Sequence, residues 1–126
     1  METSSKSLNG GQILANALVR QGVDLAFGVP GESFLPLLNG LVDHPEFQFI
    51  TCRQEGGAAY MAEAYGKLTG KPGILMVTRG PGASNAMVGV HTAYQDSTPM
   101  VLLIGQVGTD MVEREAFQEV DSLAWT

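Results

Sequence analysis

An α/β domain, with a doubly wound parallel sheet and helices on both faces, is the fold class this sequence predicts. Three observations carry that expectation. Four short apolar runs, at residues 25–29, 47–51, 74–77 and 100–104, alternate with segments of helical apolar spacing. The last two runs are apolar at every position, so both faces of those strands need cover. Successive parallel strands also need right-handed crossovers, and the intervening helices supply them.

Each element follows in order. Residues 1–9 are polar and read as a disordered leader, with the domain proper over 10–126. Ile13, Leu14, Ala17 and Leu18 keep helical spacing, and Gly22 sits where that helix should stop. Residues 25–29 form the first strand, broken by Pro30-Gly31. Phe34, Leu37, Leu38 and Leu41 mark a second helix, begun by Glu32 or Ser33, with Pro36 in its first turn. Residues 47–51 form the second strand. Ala58, Ala62, Tyr65 and Thr69 line one face of a third helix, which Gly70 and Pro72 end. After the third strand, Gly80-Pro81-Gly82 turns the chain into a fourth helix, over roughly 83–94. Beyond Gly105 the periodicity fades, and the chain reads as a piece of a longer polypeptide.

Composition excludes several functions. The chain has 126 residues, the size of one ordinary domain, and 44% of them are hydrophobic. Lys and Arg number 7 against 13 Asp and Glu, so no basic stripe exists to hold nucleic acid. The longest apolar run, 100–104, is far short of the roughly 20 residues a membrane helix needs. The N-terminus lacks the apolar core of a secretory signal. Cys52 stands alone and cannot form an internal disulfide, which points to a reducing, cytoplasmic home. Cys52 reads as a packing residue, since no histidine lies near it in sequence to make it a nucleophile.

In an open parallel sheet, ligands bind beyond the carboxyl ends of the strands. Four such ends are legible: residues 28–31, the Arg53-Gln54-Glu55 corner, residues 78–82 and residues 105–108. Three of them are rich in glycine, which lets backbone approach a flat ligand closely. No phosphate-loop motif opens a helix, no metal-ligand spacing occurs, and His44 and His91 stand alone. Gly80-Pro81-Gly82 is compatible with an ordinary turn. Glu55 has two readings. It is either a solvated acid favoured by a helix N-terminus, or a carboxylate pressed against a ligand. Small neighbours, Gly56-Gly57-Ala58-Ala59, would let a ligand or a second chain press in, and a drier carboxyl would hold protons more readily.

Five segments together carry a resemblance. They are Phe27-Gly28-Val29-Pro30-Gly31, residues 55–65 from Glu55-Gly56-Gly57 to Ala64-Tyr65, Gly80-Pro81-Gly82-Ala83-Ser84-Asn85, Asp96-Ser97-Thr98-Pro99 and Gly105-Gln106-Val107. In this order and spacing the chain resembles the N-terminal, pyrimidine-binding domain of thiamine-diphosphate-dependent enzymes, in the acetolactate synthase and pyruvate oxidase group. The resemblance runs from about Asn9 to about Glu119. It implies a flavodoxin-like fold and a catalytic role for Glu55, which matches the glutamate that hydrogen-bonds N1′ of the cofactor's aminopyrimidine and so favours formation of the C2 ylide. Pro30, Gly31, Thr78, Pro81 and Asn85 match positions lining the pyrimidine pocket. Gln106, Phe117 and Gln118 match residues near the substrate pocket.

The resemblance further implies a carboligase, decarboxylase or oxidase acting on 2-keto acids, a transferase or lyase of the acetolactate synthase kind, and a homodimer or higher homo-oligomer. The helix starting at Gly56, Gly57, Ala58 and Ala59 would pack tightly on a partner subunit. Magnesium and the diphosphate would be held by a C-terminal domain bearing Gly-Asp-Gly, which this chain lacks. No metal ligand is therefore expected here, and whether FAD is required is left open. Alone, the chain would bind the cofactor weakly and turn nothing over. It departs from acetolactate synthases at Gln54 and Gly56, where His and Gln are usual, and at Arg79, where a small residue is usual. The competing reading is a non-catalytic flavodoxin-like regulatory or interaction module, in which Glu55 is exposed and replaceable. A nucleotide-binding domain would need a phosphate loop that is not present.

Overall fold

A computed structural model describes residues 7–124. Helix α1 (Gly10–Arg20) is closed at its start by a capping box. Asn9 accepts from the Gln12 amide and the Gln12 side chain accepts from the Asn9 amide. Of the expected leader, residues 1–6 lie outside the described residues, and Asn9 is the cap of α1. Gly22 takes φ +78°, a left-handed conformation that costs other residues energy, and so releases the chain into β1 (Leu25–Gly28).

A single 3₁₀ turn, Glu32–Phe34, precedes α2 (Leu35–Leu41). The expected helix therefore begins as a tighter turn, with Pro36 inside the first α-helical turn, where its missing N–H costs nothing. Strand β2 (Gln48–Thr51) leads into α3 (Glu55–Thr69), which Gly70 ends at φ +70°. Strand β3 (Gly73–Val77), α4 (Gly80–Gln95) and β4 (Met100–Ile104) complete the regular elements. Helix α4 starts three residues before the predicted 83, because Gly80-Pro81-Gly82 forms its first turn and not a separate bend.

All four strands are parallel, in the order β2-β1-β3-β4. β3 is buried along its whole length and alternates its side chains between two cores. Ile74 and Met76 join Ala15 of α1, Ala26 of β1, and Phe34, Leu37 and Leu41. Leu75 and Val77 join Ala58, Ala59 and Ala62 of α3, with Ala83 and Ala86 of α4. The doubly wound architecture is thus observed. Full cover for both of the wholly apolar strands is not: β4 lies at an edge of the sheet, and Val101 is exposed. The fading periodicity after Gly105 corresponds to short 3₁₀ turns at Thr109–Met111 and Ser122–Ala124.

Candidate cofactor site

The sheet order places a topological switch point between β1 and β3. From β1 the chain moves to β2 on one side, then crosses to β3 on the other. The loops leaving β1 and β3 therefore diverge and open a crevice at their carboxyl ends, where such sheets bind ligands. Gly31 and Thr78 meet there. A Cβ on Gly31 would stand 2.8 Å from Thr78 Cβ, so only glycine permits this approach. Thr78 Oγ1 is 3.0 Å from Ser33 Oγ, a hydroxyl pair that fastens the loop after β1 to the end of β3.

Glu55 is the first residue of α3 and is half-buried. It does not cap the helix. Gln54 does, its side-chain oxygen accepting from the Gly57 amide at 2.9 Å. The Glu55 carboxylate is thereby left for other work while still favoured by the helix N-terminus. Its Oε2 accepts from Asn85 Nδ2 of α4 at 3.0 Å. A Cβ on Gly82 would stand 3.5 Å from its Oε1 and 3.0 Å from Thr78 Cγ2, so the glycine keeps that space open.

The expected pocket residues thus divide in two. Gly31, Glu55, Thr78 and Asn85 gather at the crevice, with Pro81 exposed in the first turn of α4 and Pro30 exposed just before Gly31. Gln106, Phe117 and Gln118 belong to the segment after β4. Gln106 Oε1 accepts from the Val107 amide at 2.9 Å, and its Nε2 lies 3.4 Å from the Val120 carbonyl. Phe117 and Gln118 reach the strand ends through backbone. Arg79 Nη1 donates to the Phe117 carbonyl at 3.1 Å, and the Gly80 amide donates to that of Gln118 at 2.9 Å. Glu119 shapes the same loop, its carboxylate accepting from the amides of Glu113 (2.6 Å) and Ala116 (3.0 Å). The Glu113 amide first, and then that of Ala116, hold its carboxyl below the ordinary carboxylate range.

The small residues after Glu55 are used differently from expectation. Gly56, Ala58 and Ala59 are buried within the chain, and Gly57 is open. Ala59 packs so closely on Gly89 that a Cβ there would stand 2.5 Å from its own. Gly56 and Ala59 therefore bring α3 onto α4 and Ala58 joins the core beside β3, while Gly57 with the exposed Tyr60 and Met61 faces outward.

Sequence reasoning missed the Gln54 cap, the Ser33–Thr78 pair and the buried acid Glu63. Glu63 accepts from Thr98 Oγ1 at 3.1 Å and lies 2.8 Å from Lys67 Nζ. Lys67 also meets Asp96, and these two acids, Asp96 first, raise its proton affinity well above the usual lysine value. The i,i+4 spacing of Glu63 and Lys67 was a usable signal for the pair. His44 pairs with Asn16 at 2.8 Å and His91 is exposed. Among the described residues, no group of three or more His, Cys, Asp or Glu side chains could hold a metal ion. No helix among them is long and apolar enough to cross a membrane.

Comparison with known proteins identifies the family. The family described as thiamine pyrophosphate enzyme, N-terminal TPP binding domain, matches residues 8–125. The mitochondrial acetolactate synthase catalytic subunit of Saccharomyces cerevisiae is 43% identical over 121 residues, which is 96% of this chain and 18% of the relative. The acetolactate synthase large subunit of Lactococcus lactis is 41% identical over 121 residues, 96% of this chain and 21% of the relative. The Aspergillus candidus catalytic subunit is 45% identical over 112 residues, 89% of this chain and 16% of the relative. The chain spans about a fifth of the length of these curated relatives. The relatives named here are acetolactate synthase subunits, and the chain belongs to the family of N-terminal, thiamine-pyrophosphate-binding domains of thiamine pyrophosphate enzymes.

Proposed function

We propose that this domain supplies the pyrimidine-binding half of a thiamine-diphosphate site, in a transferase or lyase acting on 2-keto acids. The observation that carries the reading is the placement of Glu55. Its Oε2 is held by Asn85, and its Oε1 borders the space that Gly82 leaves open. A carboxylate fixed at one oxygen and free at the other suits exchange of a proton with a ring nitrogen. When bound, thiamine diphosphate supplies the carbon nucleophile, and the protein contributes placement and proton affinity.

Within this reading each residue has a role. Glu55 holds the shared proton at Oε1. Asn85 orients the carboxylate. Pro30, Gly31, Thr78 and Pro81 form the wall against which an aromatic ring lies, with glycines allowing close approach. Magnesium and the diphosphate belong to a further domain of the enzyme, as does any FAD. Two or more chains associate through the outward face of α3, where Gly57, Tyr60 and Met61 are exposed. A strict monomer by light scattering at high concentration would count against that association. The lone, half-buried Cys52 suits a reducing cytoplasm.

The deciding experiment is Glu55→Gln in the full-length enzyme. Turnover should fall by at least about a hundredfold, the range typical of losing a positioned proton-transfer group. Binding of thiamine diphosphate, followed by calorimetry, should change far less. Unchanged turnover would overturn the proposal.

A further inference from the structure

We propose that Arg79 is a positioning residue that fastens the 116–120 segment to the strand-end crevice and so fixes where Phe117 and Gln118 stand; the substrate side of this inference rests on reading that crevice as the cofactor site. Arg79 lies between the end of β3 and the start of α4, and its side chain is only 17% exposed. Nη1 donates to the Phe117 carbonyl at 3.1 Å and lies 3.5 Å from Glu32 Oε1, in the turn after β1. One guanidinium therefore joins three segments that meet at the crevice. Gly80 extends the attachment, its amide donating to the Gln118 carbonyl, so two successive carbonyls are gripped by two successive residues.

Two further observations make this more than a surface contact. Gln118 takes φ +62°, a left-handed conformation that a non-glycine residue keeps only where its surroundings impose it. Arg79 Nε is buried without a hydrogen-bond partner among the described residues. The Phe117 ring meanwhile remains 73% exposed. The backbone is held and the ring is presented, as expected of a lip beside a site.

Chymotrypsin tests the fastening. Cleavage after Phe117 requires its carbonyl to enter the protease's oxyanion hole, and the Arg79 bond withholds that carbonyl until the segment opens. Arg79→Met should speed cleavage at this bond about tenfold, the effect of losing one charge-assisted hydrogen bond. Arg79→Lys should recover part of the protection, because a single ammonium can still reach one carbonyl. Cleavage after Tyr60, inside α3, should stay at the wild-type rate. No acceleration at Phe117, or equal acceleration at Tyr60 in both variants, would overturn the proposal.

In the full-length enzyme, Arg79→Met should also raise KM for the 2-keto acid about tenfold. The Kd for thiamine diphosphate should stay unchanged and kcat should move less than KM. An unchanged KM would overturn the positioning role. Should Glu55→Gln leave turnover intact while Phe117 cleavage still answers to Arg79, the cofactor reading falls and the fastening stands.

Discussion

Against one face of the sheet lie Phe34, Leu37 and Leu41; against the other lie Ala58, Ala59, Ala62, Ala83 and Ala86. The first face is filled by volume, with α1 and α2 held away from the strands by large side chains. The second is filled by backbone, because alanine and glycine let α3 and α4 settle directly on β3 and on each other. The thin face supplies the carboxylate and its partner, while Gly31 and Ser33 come from the loop after β1. Close packing of α3 on α4 brings Glu55 and Asn85, thirty residues apart in sequence, within 3.0 Å. Bulk on that side would separate the two side chains and leave the carboxylate unheld. The two faces should therefore fail in opposite ways.

The largest effect is expected from adding volume to the thin face. A Cβ on Gly89 would stand 2.5 Å from Ala59 Cβ and 2.8 Å from its backbone carbon, which cannot swing aside. Gly89→Leu should cost about 3 kcal/mol, the upper end of typical overpacking, read from denaturant midpoints. It should also abolish the Glu55–Asn85 bond, visible in the Asn85 side-chain amide resonances. Removing volume from the thick face should cost about 2–3 kcal/mol, as in Leu37→Ala, because Leu37 is only 5% exposed. Leu37→Ala should leave the Asn85 resonances in place. If both variants disturbed Asn85 equally, the distinction between the faces would be lost.

The smallest effect separates both faces from the loop after β4. Glu119 has a carboxyl whose proton affinity is lowered by the amides it binds, so its contribution is fully present above the ordinary glutamate value of 4.5. That contribution is lost as pH falls through the lowered, folded-state value. Amide exchange at Glu113 and Ala116, corrected for intrinsic rates, should therefore accelerate below pH 4.5 before the helices open. Glu119→Gln should remove that pH step. Loss of protection in α3 and the loop at the same pH would contradict this order.

The elements were legible because each carried its own period. Residues 74–77 and 100–104 are apolar throughout, and Gly22 and Gly70 stand where left-handed backbone is needed. The start of α3 at Glu55 was legible; that of α4 was less so. Small residues and a proline carry no apolar period, so Gly80-Pro81-Gly82 reads as a turn in sequence although it forms the first turn of α4. Glu55, Thr78 and Asn85 stand out in the sequence through the motifs in which they sit. The Gln54 cap does not, since glutamine is an uncommon N-cap residue. The purpose of Gly56-Ala58-Ala59 was also misassigned. Smallness shows that something comes close, but not whether it is another subunit or α4.

What the sequence alone determined is local and periodic: which residues prefer strand or helix, where glycine ends an element, and that four apolar runs require a covered parallel sheet. It also fixed the family, because the motif spacing is itself a property of the chain. Only the tertiary structure decided which face each strand residue serves, and that Asn85 and Arg79 meet the partners they do. Those outcomes depend on contacts between residues thirty or more positions apart. Such contacts are set by how closely packed backbones approach, and no local pattern encodes that distance.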